Sequence, residues 1–324
     1  MPSKVFISGA LGLIGSALAD RYREQGVEVR GVDLRADASN GVVAGDIAEP
    51  GAWQDHARGC DLVVNTAAVV GFGGQLDAVW RANVLGTRRM IDAAARGGAE
   101  RFVQFSSVTT FGFDYPDGVD ETYPVRLTGN PYPDSKIAGE QVTLQAHVAG
   151  DVAATIVRPG DVYGPRSRGW TVLPVKMIKS GQLILPAGGH GQIGPVYVDN
   201  LVDGVVLAAE SPKAVGEIFT IADGITVEIG DFFAHYTRML GKPRPRTVPT
   251  ALARTIATAG GRIEKALGRD TEMSAASVDY VAKRGGYSIE KARRVLGYEP
   301  KIDLQEGMRR CEQWLRSEGL LPQG

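Results

Sequence analysis

Two cysteines and four histidines are the only thiol and imidazole ligands in 324 residues. Cys60 and Cys311 stand too far apart for a metal-binding pair and are too few for a disulfide framework, which fits a reducing cytosol. His56, His147, His190 and His235 show no ligand spacing, so no metal site is expected. An excess of charge is also missing: 36 basic residues meet 37 acidic ones, for a net charge of -1. Nothing in that balance attracts nucleic acid or an anionic membrane surface. No apolar run approaches the ~18 residues of a membrane span. The start, Met1-Pro2-Ser3-Lys4 followed by Val5-Phe6-Ile7, has too short an apolar stretch for a signal peptide. Internal repeats and low-complexity segments are lacking. These absences lead us to expect a soluble cytoplasmic protein whose partners are small molecules.

Glycine, by contrast, is abundant, with 42 residues. Gly9-Ala10-Leu11-Gly12-Leu13-Ile14-Gly15 follows the strand-like Val5–Ser8 and opens a helical stretch from Ile14 to Gln25. A dinucleotide pyrophosphate needs backbone N–H groups at a helix N-terminus with no side chain in the way, and this turn supplies both. A second strand, Val27–Asp33, ends in a carboxylate placed to accept hydrogen bonds from the adenosine ribose. The same carboxylate repels a 2′-phosphate and favours NAD over NADP, a preference that the nearby Arg35 weakens. Asp46-Ile47 after Gly45 fits a loop bracketing the adenine, and equally an ordinary surface turn.

Further strands are expected at Leu62–Asn65, Phe102–Ser107 and Ala154–Val157, with helices at Leu76–Arg96 and Tyr132–Val148. This alternation predicts an α/β fold with a doubly wound parallel sheet. Past Gly164 the rhythm breaks at Pro165, Pro174 and Pro186 and at Gly188, Gly189 and Gly191. We therefore expect a Rossmann domain over 1–165, with a returning segment near 193–222 that includes a helix at Asp199–Glu210. Residues 166–192 and 223–324 are expected to form a smaller, discontinuous substrate-binding region. Within it, Leu252, Ile256, Ile263 and Leu267 recur at helical spacing among Arg254, Arg262, Glu264 and Lys265. That pattern fits a helix of the second region better than one lying on a membrane.

Tyr132 and Lys136 lie four residues apart, on one helix face. Ser107 ends a strand upstream, and ligands gather at strand C-termini in such sheets. With these residues in place, the chain resembles the extended short-chain dehydrogenase/reductases, the NAD-dependent epimerase/dehydratase family. The resemblance rests on Gly9-x-x-Gly12-x-x-Gly15, Asp33, Asn65-Thr66-Ala67-Ala68, Asn83-Val84-Leu85-Gly86-Thr87 and Ser106-Ser107. It extends to Tyr132-x-x-x-Lys136 with Gly139-Glu140, and to Arg158-Pro159-Gly160-Asp161-Val162-Tyr163-Gly164-Pro165. It implies that Tyr132 exchanges a proton with the substrate oxygen, which Ser107 hydrogen-bonds, while Lys136 holds the nicotinamide ribose. Asn83 matches the family asparagine beneath the site. Leu11, Leu13, Ile14, Thr66, Ala67 and Ala68 match the cofactor-contacting segments, and Pro159 and Val162 match backbone positions near the carboxamide. Lys136 and the positive nicotinamide of oxidised cofactor are both expected to favour the phenolate of Tyr132, whose ordinary pKa is about 10. The resemblance also implies a homodimer joined through the helices at Leu76–Arg96 and Tyr132–Val148.

Departures from the family patterns select a branch. Val108-Thr109 replaces the acidic pair that follows the catalytic hydroxyl in sugar dehydratases. Ile193 occupies the place of the arginine that binds a nucleotide-sugar diphosphate, for which Arg166 or Arg168 would have to substitute. The branch most resembled contains 3β-hydroxysteroid dehydrogenases and β-keto oxidoreductases. An NAD-dependent dehydrogenase of a lipophilic secondary alcohol or ketone is the leading expectation, a nucleotide-sugar epimerase the alternative, and a non-catalytic NAD sensor the third. Trp170, Val172, Leu173, Met177 and Ile178 fit an apolar pocket wall and a packed core alike.

Overall fold

A computed structural model describes residues 1–268 and 271–322, leaving the side chain of Lys265 outside the description. The first half runs β1 (Lys4–Ser8), α1 (Leu13–Glu24), β2 (Glu28–Asp33), β3 (Val42–Ala44), β4 (Leu62–Asn65), α2 (Leu76–Trp80), α3 (Gly86–Gly97), β5 (Arg101–Phe105), α4 (Pro131–Ala149) and β6 (Ala153–Pro159). There follow β7 (Asp161–Tyr163), α5 (Leu173–Lys179), β8 (Ile184–Leu185), β9 (Gln192–Ile193), β10 (Pro195–Tyr197), α6 (Val198–Glu210) and β11 (Ile218–Ile221). The chain closes with β12 (Val227–Glu228), α7 (Ile229–Met239), β13 (Arg246–Thr247), α8 (Thr250–Ala266), α9 (Ala275–Ala282), α10 (Glu290–Leu296) and α11 (Leu304–Ser317).

Seven strands form one parallel sheet in the order β11-β6-β5-β4-β1-β2-β3. The order reverses at β1, between β4 and β2, and opens the crevice where ligands bind in doubly wound sheets. The central strands are buried on both faces: Val5, Phe6, Ile7, Val63, Val64, Phe102 and Val103 are fully covered. This is the continuous apolar character of a parallel sheet sandwiched by helices. The short strands β3 and β11, one at each edge, carry too few residues for a sequence period to announce them.

The helix expected over Leu76–Arg96 is not a uniform α-helix. Between α2 and α3 the backbone widens to a π-helical segment at Arg81–Leu85, with Asn83 at its centre. Such widenings insert one residue into the helical ladder and re-aim side chains, commonly at functional sites. Helix α4 begins where Asn130 Oδ1 accepts the Tyr132 N–H and Pro131 occupies the first turn. It ends at Gly150, whose φ of 80° a side chain rarely adopts. Gly139 lets it approach the π-helical segment, since a Cβ there would lie 3.3 Å from the Asn83 carbonyl oxygen.

A buried ion pair fixes the rotation of α4 against the sheet. Arg158 Nε and Nη2 donate to the two Glu140 oxygens, each at 2.7 Å, and Ser106 Oγ donates to Oε1 at 2.5 Å. The two side chains are 2% and 1% exposed, so neither charge has water to fall back on. Elsewhere, Trp170 packs against Phe232 and Phe233, and Ile178 lies in the core of the second layer beside Val175 and Tyr236. Ile289, Ala292, Leu296 and Tyr298 join the core of the main sheet.

Glu140→Ala leaves Arg158 buried without its counter-ion, and urea denaturation is expected to show a loss of about 3–5 kcal/mol. The double variant Glu140→Leu/Arg158→Met should recover most of it. An equal loss in both variants would refute a charge-based role.

Candidate functional site

The glycine turn is built by contacts that tolerate no side chain. Gly9 has φ +64°, and a Cβ on Gly15 would lie 2.1 Å from the Gly9 carbonyl oxygen. The Gly12 N–H donates to that same oxygen at 2.9 Å. Helix α1 then starts at Leu13 with no side-chain cap, so its first N–H groups face outward unpaired by any side chain. Asp33 closes the turn from β2: Oδ2 accepts the Leu11 N–H at 3.0 Å and Oδ1 the Leu34 N–H at 2.8 Å. A bare floor, open N–H donors and a carboxylate at the end of β2 are what a dinucleotide requires, so the residues present fit that group.

Behind the turn, Ser8 Oγ donates to Asn65 Oδ1 at 2.6 Å, and Asn65 Nδ2 donates to Gln104 Oε1 at 2.9 Å. Thr66 Oγ1 donates to the Ser8 carbonyl, and the Ala67 N–H to Ser8 Oγ. This network holds Thr66, Ala67 and the half-buried Ala68 at the end of β4. Of the adenine-side candidates, Arg35 is exposed past β2, and Asp46 is exposed with Oδ1 accepting the Ala48 N–H. Ile47 is buried against Gly86, at the start of α3.

Ser107, Tyr132, Lys136 and Asn83 converge beyond the C-terminal ends of β4 and β5. The strand expected to reach Ser107 stops at Phe105, and Ser107 instead caps a short 3₁₀ turn, its Oγ accepting the Thr109 N–H at 3.1 Å. Tyr132 is buried, which pushes its phenol up to about 12 against the lowering influence of the Ser107 hydroxyl. Burial pushes the Lys136 amine down to about 8, opposed by Glu140 one turn further along α4. Lys136 Nζ donates to the Phe105 carbonyl at 3.0 Å and lies 5.9 Å from the centre of the Tyr132 ring. Burial thus dominates the proton affinity of the phenol, with Asp161 and Glu272 adding to it, while the Lys136 amine is engaged with a backbone carbonyl and does not figure among the influences on Tyr132.

Asn83 grips the segment after β4 from both sides. Its Oδ1 accepts the Val69 N–H at 2.8 Å, while Nδ2 donates to the Val69 carbonyl at 3.0 Å and to Ser135 Oγ at 2.9 Å. Three residues further on, the Phe72 ring meets the Tyr132 ring edge-on with centroids 6.2 Å apart. Phe72 also packs on Tyr280 at 5.2 Å and Phe113 at 5.6 Å. The Phe72 N–H donates to Glu272, and its carbonyl accepts from Asn130 Nδ2. Sequence reasoning misses Phe72, Phe113 and Tyr280 because no period or spacing links positions so far apart.

Behind the aromatic wall, Tyr280 Oη donates to the buried Asp161, which also accepts the Gly194 N–H at 3.1 Å. Pro159 ends β6, and the half-buried Val162 lies in β7. Ile193 is fully buried and pairs with Val227 between β9 and β12. Arg168 is exposed, whereas Arg166 reaches back to the glycine turn. An open pocket of about 430 Å³ shares Phe113 with the wall and is lined by both Leu127 and charged residues, among them Arg126, Asp279 and Lys283. No described helix is long and apolar enough to cross a membrane, and the described residues contain no cluster suited to a metal ion.

Known proteins resemble this chain along nearly its whole length. A ketoreductase of a farnesylated dihydroquinoline oxide from Stigmatella aurantiaca is 27% identical over 94% of each chain. A 3-beta-hydroxysteroid dehydrogenase from Mycolicibacterium neoaurum is 26% identical over 95% of this chain and 90% of its own. In fold, UDP-glucuronic acid 4-epimerase from Bacillus cereus, solved with UDP-glucuronic acid and NAD, superposes with a TM-score of 0.77 at 20% identity, covering 97% of this chain and 99% of its own. The profile of the NAD dependent epimerase/dehydratase family matches residues 5–222, more than half of the chain, and the protein is an enzyme belonging to that family.

Proposed function

We propose that this enzyme interconverts a secondary alcohol and a ketone on a lipophilic substrate, steroid-like or a β-keto compound, with NAD as the redox partner. The observation that carries the reading is the aromatic wall: the phenol of Tyr132 faces Phe72, backed by Tyr280 and Phe113. Two more features support it. Ile193 is buried in a strand pair where a diphosphate-binding arginine would stand, and Arg166 is engaged with the glycine turn through Leu11 and Ser16.

Bound NAD supplies the acceptor or donor of hydride. In ketone reduction Tyr132 gives its phenolic proton to the substrate oxygen, and Ser107 Oγ hydrogen-bonds that oxygen as negative charge grows on it. Lys136 keeps ammonium protons beyond the one donated to Phe105, and these hold the ribose hydroxyls. Asn83 acts at one remove by pinning Val69, and with it the segment that carries Phe72. The glycine turn and Asp33 hold the pyrophosphate and adenosine ribose.

We also propose that the enzyme is a homodimer. On the adjacent helical stretches, Leu76, Trp80, Leu85 and Val148 are 62%, 38%, 47% and 85% exposed, an apolar display that a helix-to-helix contact would cover.

With NAD and a panel of sterols and lipophilic alcohols, absorbance of reduced cofactor should accumulate and should fall by about 10²–10⁴-fold in Tyr132→Phe. Turnover of a UDP-sugar with no net cofactor change, and none of the panel, would instead make it an epimerase. The raised phenol also sets the sign of the pH dependence. Below about 12 the protonated form dominates, so the donor for ketone reduction is always at hand, whereas alcohol oxidation needs the scarce phenolate. Oxidation should therefore climb from about pH 6 to about pH 9 while reduction stays level or declines; oxidation that declines over that range would contradict the assignment. Light scattering should give the mass of two chains of 34.5 kDa each, and a mass of one chain would remove the dimer.

A further inference from the structure

Arg166 adopts a conformation that L-residues avoid. Its φ of 68° lies in the left-handed region, which it shares with Ala187 alone among the non-glycine residues described. Such a conformation costs about 1–3 kcal/mol outside glycine and persists where surrounding contacts enforce it. Here the turn Gly164-Pro165-Arg166-Ser167, closed by the Ser167 N–H on the Gly164 carbonyl at 3.2 Å, places Arg166 at the position that takes a positive φ, and so aims its side chain. The exposed guanidinium crosses from the loop after β7 to the start of α1, where Nη1 donates to Ser16 Oγ at 3.1 Å and Nη2 to the Leu11 carbonyl at 3.3 Å. Both partners are neutral, so a full positive charge rests on the rim of the glycine turn with no carboxylate opposing it in these bonds.

We infer that Arg166 is a cofactor-binding residue that clamps the dinucleotide pyrophosphate at the rim of the glycine turn, beside the α1 N–H groups. The inference rests on the assignment of the glycine turn to the pyrophosphate. A planar guanidinium suits a phosphate pair, to which it donates two parallel hydrogen bonds, and exchanging a neutral carbonyl for a phosphate oxygen strengthens each bond. Because the arginine enters from the loop following β7, it ties the second layer of the molecule to the bound cofactor.

The test compares NAD, ADP-ribose and adenosine binding by calorimetry in the wild type, Arg166→Gln, Arg166→Gly and Gly15→Ala, with melting temperatures throughout. Arg166→Gln should weaken NAD and ADP-ribose by about ten- to a hundredfold and leave adenosine, which lacks phosphates, unchanged. Arg166→Gly removes the charge and relieves the backbone, so it should show the same loss of affinity without a lower melting temperature. Unchanged NAD and ADP-ribose affinity in Arg166→Gln, or equal weakening of adenosine, would overturn the clamp. Retention of affinity in Arg166→Gly would assign the effect to the backbone conformation and overturn it too. Gly15→Ala separates the two levels: if it abolishes NAD binding while Arg166→Gln does nothing, only the arginine inference fails. If it leaves NAD binding intact, the assignment of the turn itself falls.

Discussion

Glu140 is the point on which the chemistry of this molecule turns. Tyr132, Lys136 and Glu140 stand one helical turn apart along α4, and only the last is locked to the sheet by an ion pair, through Arg158 on β6 with Ser106 at the end of β5. A helix can rotate or slide against a sheet at modest cost when its contacts are apolar. It cannot do so when movement would strand two charges away from water. The buried pair thereby sets where the phenol and the amine point. The same desolvation raises the proton affinity of the phenol and lowers that of the amine, so one act of burial both positions and tunes the pair.

The facing side of the cleft depends on a different kind of constraint. There no buried ion pair does the holding; the backbone is allowed to come unusually close. A Cβ on Gly15 would strike the Gly9 carbonyl, and one on Gly9 would crowd Ala67. These approaches draw β1, α1 and the end of β4 together into one rim. Asn83, re-aimed by the π-helical widening, extends that rim by holding Val69, so the cofactor side and the aromatic wall share a continuous support.

Much of this was legible in the sequence. The parallel sheet announces itself through apolar runs such as Leu62–Asn65 of β4, and the glycine turn through its place between a strand and a helix. Tyr132 and Lys136 share a face by simple helical arithmetic. Other features escape for physical reasons. The π-helical segment escapes because its five residues lie inside one continuous helical stretch and are too few to establish a period of their own. The aromatic wall is assembled by tertiary contact between positions 72, 113 and 280. The direction of the Tyr132 shift was hidden because sequence reveals a lysine one turn away but not the burial that raises the phenol. Trp170 and Ile178, read as pocket or core, are both packed into aromatic and aliphatic surroundings of the second layer.

The strap around Phe72 carries a consequence for how such an enzyme changes over generations. Gly71 and Gly73 press so closely on Glu272 and Thr271 that neither accepts a side chain without displacement, while Phe113 and Tyr280 arrive from two other stretches. On the proposed reading, the surface that meets the substrate is thus assembled from separate, short pieces of chain, none of which belongs to the parallel sheet. The piece carrying Phe72 is tied to Asn83 and Asn130 and touches the Tyr132 ring, so a change there reaches the proposed proton-transfer residue directly. The pieces carrying Phe113 and Tyr280 pack on Phe72 instead, and new substrate preferences are reachable there by smaller steps.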